Sequence, residues 1–229
     1  MSVSRFWHSA RGRDLLEVSV AAGGQGDVAQ QSRAAIERAL AEVAAAGLRS
    51  EHIVRSRIWA RDAAARTAAS DLRRALLAGD KRGASASFFD AERFAADGDM
   101  IIDIIALRAP AAARKTIAEY APPIAPPLFV ALDGMVFLSG NTDVSPAFAD
   151  QIQRIGDKID RTLAKTGATW PQVVTLTAFL AKSVDPAVAR AAIAGRFPGL
   201  ACPLDIRTLD GFSAPEQLIE IETTADLRG

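Results

Sequence analysis

The chain has 229 residues, 49% hydrophobic and 24% charged, with 27 basic and 27 acidic side chains. This length suits one large domain or two of about 110 residues, and the balanced charge supplies no net basic field to draw the chain to nucleic acid or an anionic membrane. A single cysteine excludes an intrachain disulfide and a cysteine-rich zinc site, and two distant histidines argue against a histidine-based metal centre. The first eight residues contain no apolar signal core, and no stretch approaches the roughly 18 apolar residues of a membrane span. The expectation is a soluble, cytoplasmic protein.

Residues 5–10 and 15–22 read as a β-hairpin turning at Arg11, Gly12, Arg13 and Asp14. Asp27 is placed to cap a helix over 27–46, with Ile36, Leu40, Val43 and Ala44 on one face and Gly47 just past its end. Residues 53–60 form a strand whose alternation sets Arg55, Arg57 and Trp59 opposite Val54, Ser56, Ile58 and Ala60. Asp62 then caps an alanine-rich helix to about residue 77. After a loop at 79–83, strands are expected at 84–91 and 100–107.

Residues 109–119 read as a linker, followed by a proline-dense lead-in at 121–127 that is unsuited to a central strand. A second hairpin over 128–138 turns at Asp133-Gly134 and stops at Ser139-Gly140-Asn141. Ser145-Pro146 opens a helix carrying Phe148, Ile152, Ile155, Ile159 and Leu163, and Gly167 repeats the role of Gly47. A strand follows at 173–180. Asp185-Pro186 starts another helix, Phe197-Pro198-Gly199 ends it, and strands at 202–208 and 218–225 close the chain. The order β-β-α-β-α-β-β is thus written twice, as an α+β module over 1–108 and another over 120–229.

Glu220 and Glu222 fall on one face of the last strand, where a partly desolvated carboxylate with a raised pKa can act as general acid or base. Arg55 and Arg57 can bind an anionic substrate or pair with Asp103, Glu220 or Glu222, and pairing is the preferred reading. Gly23-Gly24-Gln25-Gly26-Asp27 lacks the lysine and spacing of a phosphate loop and reads as a turn. His8 and His52 have no visible nucleophile or metal partner. Cys202 among apolar neighbours reads as a packing residue.

The run from Asp27 through Arg61-Asp62 resembles the reactive-intermediate deaminase family (Rid, or YjgF-like). So do the segment Glu119 to Pro127, the strand end Met135 to Asn141, Phe197 to Cys202, and Leu218 to Glu222. The resemblance covers nearly the whole chain as two tandem copies. It implies chorismate-mutase-like modules, each a mixed sheet with two helices on one face, assembled in threes around substrate clefts. It further implies hydrolysis of enamines or imines with no metal and no cofactor. In such a cleft an arginine holds a carboxylate, and a glutamate with backbone groups positions water.

Glu220 matches that glutamate, and its first-module counterpart is Ile101. The arginine position is occupied by Leu200, two residues before the retained Cys202, and by Ser85 in the first module. The tyrosine position falls on Pro127. The resemblance therefore implies a small-molecule hydrolase or deaminase acting on an enamine or imine other than the usual 2-imino acids. Glu220 is its catalytic residue, with Ser139, Gly140, Asn141, Leu200 and Cys202 in substrate binding. A non-catalytic ligand-binding or protein-stabilising module is the alternative. The ribonuclease activity sometimes assigned to the family fits poorly with neutral charge, and no nucleic-acid or membrane partner is expected. Trp59, Phe179, Ile101 and Ile105 on the helix-free sheet faces point to a homo-oligomer, most simply a homotrimer.

Overall fold

The structure is a computed structural model and describes residues 1–94 and 97–228. Two tight turns set its hairpins. Arg11 and Gly12 adopt φ of 49° and 74°, and Asp133 and Gly134 adopt 51° and 81°. Such paired left-handed residues match the twist of antiparallel strands. They join β1 (Ser2–Ala10) to β2 (Arg13–Ala21), and β7 (Phe129–Leu132) to β8 (Met135–Leu138).

Helix α1 (Val28–Ala45) starts at a capping box: Gln30 N donates to Asp27 Oδ1 at 2.8 Å, and Asp27 N donates to Gln30 Oε1 at 3.1 Å. The expected Asp62 and Asp185 caps also form, on α2 (Ala63–Leu76) and α4 (Pro186–Arg196). Helix α3 spans Phe148–Thr166 and lacks a side-chain cap, unlike the start expected at Ser145-Pro146. Ser145 is engaged elsewhere, its amide donating to Asp143 Oδ1 at 2.9 Å. That local turn competes with capping.

The first sheet adds β3 (Ile53–Ala60), β4 (Ala84–Phe89) and β5 (Met100–Leu107), in the order β1-β2-β5-β3-β4. The second runs β11-β10-β12-β8-β7-β6, built from β10 (Val173–Ala181), β11 (Leu204–Leu209), β12 (Ile219–Asp226) and β6 (Thr116–Ala118). A two-residue strand, β9 (Asn141–Thr142), also pairs with β12. Apart from β6 and β9, the two orders are the same. Both central ladders even shift register at the same place, between Ile53 and Arg55 and between Val173 and Thr175. β6 lies within the stretch read as linker and hydrogen-bonds to β7.

Each sheet buries one face under its own helices. Leu16, Val18, Ile58, Ile102 and Ile104 pack with Ile36, Ala39 and Ala69 in the first module. Val136, Leu138, Ile219 and Ile221 pack with Ile152, Ile155, Ile159 and Ile193 in the second. The other two faces pack on each other. One inter-module cluster joins Leu15, Val54 and Ile105 to Val130, Met135 and Phe137; another joins Trp59, Phe88 and Ile101 to Phe179, Leu209 and Phe212. Phe88 stacks on Phe179 with ring centroids 4.2 Å apart.

This docking corrects the argument for an oligomer. Trp59, Phe179, Ile101 and Ile105 are only 1%, 0%, 6% and 6% exposed within the single chain, so they supply no reason for three chains to associate. Apolar surface buried at roughly 25 cal/mol per Å² drives module against module instead. Among the described residues no helix is long and apolar enough to cross a membrane.

Candidate functional site

Between the two apolar clusters lies a band of buried charge. β3 contributes Arg55 and Arg57, and β12 contributes Glu222. Arg57 donates from Nε to both Glu222 oxygens at 3.1 Å and from Nη2 to Oε2 at 2.7 Å. Arg55 donates to the carbonyls of Leu138 and Thr223 at 2.9 and 3.1 Å and to Thr224 Oγ1 at 3.1 Å. Burial pushes the Glu222 carboxyl up, but Arg57 and Arg55 together outweigh it and hold the group below its ordinary value. The preferred pairing of these arginines is therefore what the fold forms, inside one chain.

Glu220 shares the Glu222 face but lies beyond the reach of those guanidinium groups. It is 5% exposed, and its Oε2 accepts one hydrogen bond, from Gln217 Nε2 at 3.3 Å. Burial, and then the neighbouring Glu222 charge, push its pKa up to about 8. At neutral pH it is mainly a protonated acid, able to give a proton and then to take one.

The strand end read as a ligand contact lies directly over this carboxyl. A Cβ on Gly140 would sit 1.7 Å from Glu220 Oε1, so only glycine permits the approach. Ser139 and Gly140 clasp the other module at Ser85. Gly140 N donates to the Ser85 carbonyl, and Ser85 N donates to Ser139 Oγ, both at 3.2 Å. Asn141 is buried and donates to the Ser139 carbonyl at 2.9 Å, bracing the turn.

Arg73 of α2 supplies a cation that the motif-based reading missed. It donates from Nη1 to the Ala86 carbonyl at 2.6 Å, and its charge acts on Glu220. Burial lowers its pKa to about 10, against the opposing pull of Glu220, so it remains charged at neutral pH. The sequence did hold a signal. Ala65 and Ala69 form the buried stripe of α2, and Arg73 continues it at the next i+4 position.

Two hollows adjoin the Gly140–Ser85 contact, one lined by Ser85 and the other by Gly140. A polar cleft of about 80 Å³ between the modules is lined by Ser56, Ser70, Arg73, Ser85, Pro126 and Pro127. It has room for several waters. A groove of about 500 Å³ runs past Gly140 and Asn141 between α3 and the proline-rich lead-in. Pro126 borders both. The groove is in the size range of small-molecule sites.

Ser139, Gly140, Asn141 and Glu220 are thus brought together, with Ser85 and Arg73 facing them from the first module. Leu200 and Cys202 are not part of this group. They precede β11, on the far side of β10 from β12, and pack against the second module's helix-side core. Burial raises the Cys202 thiol pKa, which suits a packing residue. Pro127, at the tyrosine position, does line the polar cleft. The ladder also bears out the pairing of Ile101 with Glu220: Ile101 lies opposite Trp59 as Glu220 lies opposite Phe179.

No protein-family model and no curated protein matches the chain. Among solved structures, a chorismatase aligns over 96% of this chain and 78% of its own, with a TM-score of 0.60 and 14% identity. That likeness shows the fold along the whole chain, α+β with two mixed sheets and four helices. Rv2704 of Mycobacterium tuberculosis, a member of the YjgF/YER057c/UK114 family, covers 49% of this chain and 98% of its own, with a TM-score of 0.43 and 21% identity. NMB1025 of Neisseria meningitidis, another YjgF protein, covers 50% of this chain and 96% of its own, with a TM-score of 0.42 and 22% identity. The chain is thus similar over about half its length to single members of that family.

Proposed function

We propose that the protein is a small-molecule hydrolase of the deaminase type, acting on an enamine, imine or related unsaturated nitrogen compound at the cleft between its modules. The observation that carries this reading is Glu220: a buried carboxyl with a raised pKa directly under a side-chain-free Gly140, which itself lines a ligand-sized groove. For an enamine, Glu220 gives its proton to the β-carbon, leaving an iminium ion. The Glu220 carboxylate then takes a proton from water as the oxygen adds to the iminium carbon. After proton transfer to nitrogen, the carbinolamine releases ammonia and leaves a carbonyl compound. The net reaction consumes one water and returns the proton to Glu220.

Arg73 bears on the substrate class. The absence of an arginine at Leu200 does not reach the Glu220 cleft, because Leu200 packs elsewhere. Arg73 is a buried cation that lines the inter-module cleft with Ser85 and whose charge acts on Glu220, so 2-imino acids belong in the substrate panel with neutral enamines. Ammonia release is to be followed over the spontaneous background for wild type and Glu220→Gln. Acceleration by wild type, lost by at least a hundredfold in the variant, supports the reading. Equal rates for both proteins reject it. The second reading, a non-catalytic ligand-binding module, is favoured by the depth of Glu220 and would show saturable binding without turnover.

A further inference from the structure

The groove beyond Gly140 has an uneven charge distribution. Lys158, Arg161 and Lys165 line one wall, all projecting from α3 at i, i+3 and i+7. This row spans about 10 Å of helix. Lys158 is already occupied, pairing with Asp143 at 3.2 Å and with the Thr142 carbonyl. Arg161 and Lys165 have no ion pair and no side-chain hydrogen bond among the described residues, although α3 itself carries carboxylates. Asp157 and Asp160 both turn to Arg196 of α4, at 2.8 and 2.6 Å, leaving two cations uncompensated in the groove. The facing wall is apolar with one hydroxyl, formed by Tyr120, Ile124, Pro126 and Leu128.

Two cations one helical turn apart can converge on one doubly charged group, and the apolar wall can carry the body attached to it. We infer that this groove is a binding site for a small phosphorylated compound, its phosphate held by Arg161 and Lys165 and its body lying on Tyr120, Ile124 and Leu128. Gly140 and Asn141 also line the groove, and Gly140 lies directly over Glu220, so a compound long enough to reach that turn comes up to the Glu220 carboxyl. That connection to Glu220 rests on the hydrolase reading; anion binding in the groove does not.

Pyrophosphate is a suitable first probe, titrated by calorimetry at low and at physiological salt. The proteins compared are wild type, Glu220→Gln, and a double variant carrying Arg161→Ala and Lys165→Ala. Both deleted side chains are exposed, so the fold should persist, which thermal melting checks. Saturable binding that weakens with salt, falls at least tenfold in the double variant and is unchanged in Glu220→Gln is the expected result. Equal binding by wild type and the double variant, or no binding by wild type, overturns the inference. So does tighter binding of a single-stranded RNA oligonucleotide with a salt dependence that reports many phosphates, because the occupant would then be a polymer. If pyrophosphate binds as expected while no enamine or imine is turned over, the groove stands and the hydrolase reading falls. If turnover is found but the double variant matches wild type in KM and pyrophosphate binding, the reverse holds.

Discussion

The two modules share one ladder pattern and distribute charge differently on it. Register places Arg57 opposite Asp103 in the first and Thr177 opposite Glu222 in the second, while Trp59 opposite Ile101 corresponds to Phe179 opposite Glu220. β3 brings guanidinium groups to the shared face, β10 brings threonines at the matching positions, and β12 brings Glu222, the carboxylate that β3 needs. Two identical copies could not divide charge in this way at equivalent positions. The comparison teaches that divergence between repeats lets their bare faces dock in one chain and leaves one carboxyl, Glu220, outside the ion pair. The equivalent site in the first module is Ile101, packed with Trp59 and Phe179, and no acid stands there.

The largest effect is expected from Glu222→Ala, which strands Arg55 and Arg57 in the interior. It should lower unfolding free energy by about 3–5 kcal/mol in urea titrations. Asp103→Asn, at the equivalent first-module position, should cost only about 1 kcal/mol, because an asparagine oxygen can still accept from Trp59 Nε1, now 2.5 Å from Asp103. Equal losses at the two sites would remove the distinction between the modules.

Next in size is a pair of opposite pH dependences. The folded pKa of Glu220, about 8, lies above the ordinary 4.5, so the native state holds a proton that the unfolded chain releases. Stability from this group is full below 4.5 and declines as pH rises to about 8. Glu220→Gln should abolish the decline, gaining on the order of 5 kcal/mol against wild type between pH 4 and pH 9. Glu222 has a depressed folded pKa, so its contribution is present above 4.5 and is lost as pH falls through the folded value. Glu222→Gln should flatten the acid limb alone. Urea titrations across pH distinguish the two; a Glu220→Gln variant that follows the wild-type curve from pH 5 to 9 would contradict the raised pKa.

Gly140→Ala should act on activity more than on stability. The added methyl must displace the Glu220 carboxyl, whose Oε1 it would meet at 1.7 Å. The prediction is at least a tenfold fall in kcat for ammonia release, with about 1–2 kcal/mol lost in stability. Gly47→Ala in the first module lies in open space, and its cost, from a φ of 76° alone, should leave turnover unchanged.

The smallest contrast concerns the first helix of each module. Asp27→Ala removes a capping box and should cost about 1 kcal/mol, whereas Ser145→Ala removes no cap from α3 and should change stability by less than about 0.5 kcal/mol. Thermal melts of the two variants measure the difference.

What the sequence determined by itself was local. The bounds of β3 and β5, the Asp-Gly hairpin, the Asp27, Asp62 and Asp185 caps and the repeated element order follow from period and turn chemistry among near neighbours. The alternation of β12 also put Glu220 and Glu222 on one face. Tertiary structure decided what those faces meet. The Arg57–Glu222 pair joins residues 165 positions apart, and the Ser139–Ser85 contact spans 54. Arg73 entered the site because α2 packs its stripe on the first sheet and brings Arg73 to the Ala86 carbonyl of β4, and Leu200 and Cys202 stayed out because they lead into β11, which β10 separates from β12. Propensity and periodicity describe one element at a time. Which bare face covers another depends on apolar shape and buried charge on both, and that is satisfied only when the two modules come together.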